Sequence, residues 1–340
     1  MAMSSLANPL QRASALPGLT PASFQRHPLH GESAIWPEKN CYADLWIELV
    51  HALGCDPLAM LGFTLAIDFE GDQWTFFKPS HDELRNLYGI DVQELTVWRP
   101  LADHAIEHLS AGKLISVEAD AFWLPDTAGT DYRHAHSKTT IVLADIDLAA
   151  RRLVYFHNAG CYMLEGEDFD RSFRLGQPED PGYLPLFAEL VRSDRCVRRT
   201  PQALRQLALA GWPALLARCP ADNPVRRFQA RFEADLPVLR ERGLAHYHLW
   251  AFGATRQLGA GFELAARWLA WLHPAPRPAE VDTATQAFER LSLAAKTLIL
   301  KGARAVASPK PTDLSALFET MASAWDEGFG ALRQLPEHGA

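Results

Sequence analysis

Apolar–polar alternation, the mark of half-buried strands, occurs in the first half of this chain and does not return after one turn-forming run. That run is Gly176-Gln177-Pro178-Glu179-Asp180-Pro181-Gly182. Ahead of it, residues 114–119, 139–146 and 153–157 read as strands, the last two joined by a tight connection at 148–151. Beyond it, from Leu184, the apolar spacing is helical over 202–217, 224–241, 247–272, 281–306 and 313–335. Pro-rich connectors at 273–278 and 308–311 break the helices. Strands first and helices afterwards predict an α+β fold with an antiparallel sheet, followed by an all-α helical domain. The organisation read from this is an N-terminal arm at 1–35, a sheet-bearing domain at 36–178 and a helical domain at 184–335. The arm, rich in Pro, Ser, Ala and Gln, reads as a loose extension or a surface strap.

Composition removes several function classes. With 33 basic against 41 acidic side chains the 340-residue chain carries a net charge of -8 and has no Lys/Arg-rich block, which speaks against a nucleic-acid partner. Five scattered cysteines without a Cys-x-x-Cys pair suit a reducing cytoplasm. No signal-like or membrane-length apolar run is present, so a cytoplasmic protein without membrane attachment is expected.

The first half also contains helices. Leu45, Trp46, Leu49, Val50 and Leu53 recur at helical spacing and Gly54 stops the helix, which puts Cys41 at its N-terminus. Residues 65–69 and 74–77 flank Glu70-Gly71-Asp72 as a hairpin, Ser80 and Glu83 open a short helix, and 90–98 reads as a strand. A last helix carries Leu101, Ala105, Ile106 and Leu109 and ends at Gly112.

Three positions have residue types suited to chemistry. A thiol at a helix N-terminus meets unpaired N–H groups and the positive end of the dipole, both of which favour thiolate. Against Cys41 stand Asp44 in the same turn and the frequency with which free cysteines are merely packed. His134 and His136 lead into the strand 139–146 and share one face when extended, where a general base would be held on rigid structure. The alternative is solvated loop histidines. Asn158, at the end of the next strand beside His157, has the position of an orienting group for an imidazole N–H, or is a turn residue before Gly160. Thiol, then histidine, then amide is the order found in papain-like cysteine enzymes.

The runs Asn40-Cys41-Tyr42-Ala43-Asp44-Leu45-Trp46-Ile47-Glu48, Val117-Glu118-Ala119-Asp120-Ala121-Phe122-Trp123-Leu124-Pro125 and His136-Ser137-Lys138-Thr139-Thr140 resemble the butirosin biosynthesis protein H-like family. More closely, they look like an uncharacterised bacterial branch whose members accompany amino acid:carrier-protein ligases. The resemblance covers about residues 35–275 and continues through Phe252-Gly253, Arg256, Gly259, Gly261 and Ala266-Arg267-Trp268. It implies a papain-like N-terminal domain. The implied activity is transfer of an acyl or aminoacyl group from the phosphopantetheine thioester of a carrier protein to a small-molecule amine, with no cofactor bound to the chain itself. Carried over, it implies Cys41 as acyl-accepting thiol, His136 as general base and Asn158 as orienting residue, with His157 a weaker substitute. Relatives more often place a carboxylate at the orienting position.

With that chemistry, the Cys41 N–H and the Asn40 side chain would supply an oxyanion hole, though the simplest role of Asn40 is the N-cap. Asp120 beside Phe122 and Trp123 would suit an ammonium group, or is a strand end before a Pro turn. Rival readings are a thiol hydrolase, a carrier-protein-binding scaffold without catalysis, and a zinc site at His134, His136, His157 and Cys161. In the helical half, Trp250, Trp268 and Trp271 read as core, and Arg226, Arg227 and Arg231 as either a carrier-protein contact or a solvated face.

Overall fold

A computed structural model describes residues 11–177, 186–308, 310 and 312–335. Residues 1–10 of the expected arm, positions 178–182 of the turn-forming run, Leu184, and Pro309 and Pro311 of the second connector lie outside the described residues. The strands are β1 (Arg12–Ser14), β2 (Phe69–Glu70), β3 (Gln73–Trp74), β4 (Val92–Glu94), β5 (Leu114–Asp120), β6 (Lys138–Asp147), β7 (Arg152–His157), β8 (Gly160–Glu165) and β9 (Ala188–Val191). The helices are α1 (Cys41–Ala52), α2 (His81–Tyr88), α3 (Leu101–Ser110), α4 (Gly166–Phe173), α5 (Pro201–Ala210), α6 (Trp212–Leu216), α7 (Pro224–Gly253), α8 (Thr255–Leu272), α9 (Ala279–Ala307) and α10 (Ser315–Leu332). The protein is α+β, with an antiparallel sheet in its N-terminal part and a helical C-terminal region. Among the described residues no helix is long and apolar enough to cross a membrane.

The chain divides into a sheet unit, built from residues up to Pro28, Asp44–Cys55 and His81–Arg198, and a helical unit built from Leu29–Ala43, Asp56–Ser80 and the residues from Arg199 onward. In the sheet unit the strand order is β4-β9-β5-β6-β7-β8, every pair antiparallel. β6 is the spine: its first half pairs with β5, its last three residues pair with β1, and its other edge carries β7. Its inner residues are buried, which suits the near-continuous apolar run Ile141-Val142-Leu143-Ala144. α3 packs against β1, β5 and β6.

β1 corrects the expectation of a loose arm, since Arg12, Ala13 and Ser14 pair in register with Asp147, Ile146 and Asp145. β9 corrects the expectation that no strand follows the turn-forming run. It inserts between β4 and β5, and its four residues owe their strand geometry to those two neighbours. β4 is shorter than the expected 90–98, and the expected hairpin of 65–69 and 74–77 is present only as the two-residue antiparallel pair β2–β3, Phe69 opposite Trp74, because Leu65 and Ala66 belong to a helix. Pro57–Ala66 is 3-10 helix, opened by Asp56, whose Oδ1 accepts the Leu58 N–H at 3.0 Å.

α1 begins and ends as expected. Asn40 Oδ1 accepts the Ala43 N–H at 2.8 Å as N-cap, and Gly54, at φ +76°, closes the helix. The Arg198 side chain lies where a Cβ at Gly54 would be, 2.9 Å away, and its Nε donates to the Leu53 carbonyl at 2.8 Å.

In the helical unit α8 packs on α9 and on the 57–66 helix, while α9 packs on α7 and α10. α7 is interrupted at Gly243, φ +80°. The segment before α1 is seated here by Glu263, a buried carboxylate accepting the backbone N–H groups of Ile35 (2.7 Å) and Trp36 (3.0 Å). Trp36 in turn donates from Nε1 to Ser292 Oγ at 3.0 Å. Trp268 and Trp271 are buried, as the helical spacing predicts, whereas Trp250 is half-buried.

Candidate active site

The β5–β6 register builds the site. Asp120 ends β5 opposite Lys138, the first residue of β6, so the residue two places before Lys138 comes alongside the Asp120 carboxylate. That residue is His136. Its Nδ1 lies 2.7 Å from Asp120 Oδ2, while Asp120 Oδ1 accepts the Phe122 N–H at 3.1 Å and starts a turn of 3-10 helix. The turn lays the Phe122 ring over the imidazole, with centroids 4.3 Å apart and planes 13° from parallel. Nδ1–H donated to the carboxylate leaves the lone pair on Nε2, and the His136 side chain is 69% exposed. This is a positioned imidazole open to solvent, with an anion behind it to stabilise the imidazolium.

The orienting partner of His136 is therefore Asp120 and not Asn158. Asn158 occupies the two-residue turn between β7 and β8 at φ +45°, a left-handed conformation that asparagine tolerates, and its turn role accounts for its identity. Asp120 is the strand end of the alternative reading, with one oxygen serving the turn and the other the imidazole. Trp123, expected beside it in a substrate slot, lies under two guanidinium groups, Arg133 at 4.7 Å and Arg171 at 5.6 Å from its ring centroid. Arg133 is bonded to Asp168, which also accepts the Tyr132 hydroxyl at 2.8 Å.

His157 is not a substitute orienting group for His136. It is 1% exposed, and both ring nitrogens are engaged: Nδ1 with Asp126 Oδ2 at 2.5 Å and Nε2 with Thr139 Oγ1 at 2.7 Å. The Tyr155 hydroxyl donates to the other Asp126 oxygen at 2.5 Å. Burial first, and the Asp126 charge second, push the Tyr155 hydroxyl far above the usual tyrosine range, so it remains a donor. Asp126 was not singled out from the sequence; its only signal there is its place after Leu124-Pro125. His134 is an exposed turn residue whose backbone N–H donates to the Asp131 carbonyl at 2.8 Å.

The residues considered for zinc do not converge. Among the described residues no group of three or more His, Cys, Asp or Glu is arranged to hold a metal ion. Cys161 is buried on β8, and burial pushes its thiol up to about 12. Burial does the same to Cys219.

Cys41 is the first residue of α1 and is half-buried. It falls in Leu29–Ala43, which clusters with the helical unit, whereas Asp120, His134, His136, His157 and Asn158 belong to the sheet unit. Asn40 is fully spent as a structural residue: besides capping α1, its Nδ2 donates to the Phe77 carbonyl at 2.7 Å and lies 3.5 Å from Gln257 Oε1. Both Asn40 side-chain groups are thus engaged within the chain, as the N-cap reading has it. Arg226, Arg227 and Arg231 pair with Glu319, Asp68 and Asp235 respectively, so the expected basic face is neutralised within the chain.

Residues 25–193 match the DUF1839 N-terminal domain, and residues 201–334 match the DUF1839 C-terminal domain. Comparison with curated proteins gives no match.

Proposed function

We propose that this chain, which belongs to the DUF1839 family, is a cysteine-dependent acyltransferase of papain-like design, akin to the butirosin biosynthesis protein H-like enzymes. In this reading Cys41 accepts an acyl or aminoacyl group from the phosphopantetheine thioester of a carrier protein and passes it to an amine. The observation that carries it is the His136–Asp120 pair, an exposed imidazole with its tautomer set by a carboxylate. The place of Cys41 at a helix N-terminus adds to it.

The chemistry balances without an added co-reactant. His136 Nε2 takes the Cys41 proton, sulfur attacks the thioester carbonyl, a C–S bond to Cys41 forms, and the C–S bond to pantetheine breaks as His136 protonates the leaving thiolate. The amine then attacks the acyl-cysteine. A C–N bond forms, the C–S bond to Cys41 breaks, and His136 carries the amine proton to the released sulfur. Asp120 holds Nδ1–H throughout and stabilises the transient imidazolium.

Incubation of the full chain with aminoacylated carrier protein under single-turnover conditions tests this. The expected result is an aminoacyl mass adduct on Cys41, absent in Cys41→Ala. No adduct on Cys41, together with equal and slow alkylation of all five thiols by iodoacetamide at neutral pH, overturns it.

A non-catalytic carrier-protein scaffold is the second reading. It is favoured by large apolar side chains exposed on two helices, Leu249 and Phe252 on α7 and Leu293 and Leu300 on α9. It predicts carrier-protein binding that Cys41→Ala leaves intact and no adduct at any time point.

A further inference from the structure

Two cysteines 141 positions apart in sequence meet just beyond α1: Cys55 Sγ lies 3.5 Å from Cys196 Sγ. Both belong to the sheet unit. Their backbones are fixed from several sides. The Cys55 N–H donates to the Val50 carbonyl at 3.1 Å, and the Val197 N–H donates to the Tyr88 carbonyl at 2.8 Å. Arg198 Nε clamps the Leu53 carbonyl at 2.8 Å, and the Cys55 sulfur faces the Val197 carbonyl at 4.0 Å. The neighbourhood therefore holds the two sulfurs at contact distance, and closing to a bond of about 2.05 Å asks for side-chain rotation over roughly 1.5 Å.

We infer that Cys55 and Cys196 form a reversible thiol–disulfide site, oxidised by a peroxide and reopened by a dithiol. Cys196 is half-buried and Cys55 is buried, so Cys196 is the more accessible sulfur, which sets the order of events. The Cys196 thiolate attacks a peroxide oxygen, an S–O bond forms, the O–O bond breaks, and the leaving oxygen departs as water. The Cys55 sulfur then attacks the sulfenic sulfur. An S–S bond forms, the S–O bond breaks, and the hydroxyl leaves as a second water with the Cys55 proton. Two thiols are oxidised by two electrons and one peroxide is reduced to two waters.

Placement gives the bond a structural effect. It would tie the C-terminal end of α1 to the segment that follows β9, enclosing every strand from β2 to β9 in one covalent loop. Cys55 and Arg198 are also the last residues before the chain leaves the sheet unit at Asp56 and Arg199. A cross-link over so long a loop restricts the unfolded chain more than a short one does. Cys161 and Cys219, held as thiols by burial, are internal controls.

The test treats reduced full-length protein with hydrogen peroxide, blocks remaining thiols with iodoacetamide, and maps non-reduced peptides by mass spectrometry. The expected result is the Cys55 and Cys196 peptides joined with loss of two hydrogens, reversed by dithiothreitol. It comes with a higher unfolding midpoint in the oxidised form and no such cross-link in Cys196→Ser. Recovery of Cys55 and Cys196 both alkylated after peroxide, or cross-linked predominantly to other cysteines, overturns the inference. This outcome is independent of acyl transfer, since neither cysteine takes part in that reading.

Discussion

The Asp126 carboxylate meets His157 Nδ1 at 2.5 Å with both side chains at most 3% exposed, which joins the loop after β5 to the end of β7. Asp126 sits in a turn whose neighbour Thr127 donates its hydroxyl to the Ala121 and Leu124 carbonyls, so the segment that carries Phe122 is pinned from beneath. Removing the carboxylate leaves two buried donors, His157 Nδ1–H and the Tyr155 hydroxyl, without an acceptor, a loss of about 1–3 kcal/mol each. Asp126→Ala is expected to show both losses in calorimetric unfolding of the full chain. Tyr155→Phe, which deletes one hydrogen bond to the same carboxylate, is expected to cost about 1.5–3 kcal/mol.

The exposed pair behaves oppositely. Asp120 and His136 are 36% and 69% exposed in their side chains, and surface pairs of this kind contribute about 0–1 kcal/mol to stability. His136→Gln should therefore leave the unfolding midpoint nearly unchanged while slowing formation of the Cys41 adduct by about 10²–10⁴-fold, the usual worth of a general base. Asp120→Asn should retain the fold and slow the reaction less. Time-resolved mass spectrometry of the adduct beside melting curves separates the two effects, and equal losses of stability and rate would contradict the assignment.

How much of this was legible in the sequence depended on whether the cause was local. β6 and β7 were visible because they are long, apolar and joined by a tight connection. β1 and β9 were not, because three- and four-residue strands are defined by distant partners: Ser14 by Asp145, Ala188 by Val117. The 57–66 helix is apolar on all sides, so it has no periodicity to distinguish it from a strand. His136 was singled out from its place before a strand. Its partner was misassigned because the choice between Asp120 and Asn158 rests on the β5–β6 register, whereas Asn158 answers to its own turn.

Acid should weaken the sheet unit before its carboxylates titrate. His104, nearly buried on α3, is held below the usual histidine range first by burial and then by Arg99 and His108, with Glu107 and Asp103 opposing. Burial likewise lowers His108, which stacks on His104 with ring centroids 6.3 Å apart. The unfolded chain takes up protons at these positions from about pH 6.5, where the folded protein does not, so stability falls as pH drops below that value. Glu107 and Asp194, lowered by Arg99 and Arg192, lose their contribution in a separate and more acidic window, below the ordinary carboxylate range. Melting midpoints are expected to decline from pH 7.5 to 5.5, and His104→Gln should flatten that decline.

Two glycines in helices of the same unit should respond to alanine with opposite signs. A Cβ on Gly259 of α8 would stand 2.3 Å from the Trp36 indole, whose Nε1 is tied to Ser292 Oγ, while Ser292 in turn donates to the Gly259 carbonyl at 2.7 Å. Neither the ring nor the helix can move without breaking that chain, and overpacking of this kind costs about 1–3 kcal/mol. A Cβ on Gly330 of α10 meets nothing within 4 Å, and the residue is not at positive φ. Gly330→Ala should gain about 0.5–1 kcal/mol from helix propensity alone. Gly259→Ala should lower the melting midpoint and Gly330→Ala raise it. A neutral Gly259→Ala would mean that the Trp36 indole does not sit against α8, and with it would fall the seating of the segment before α1 on the Glu263 carboxylate.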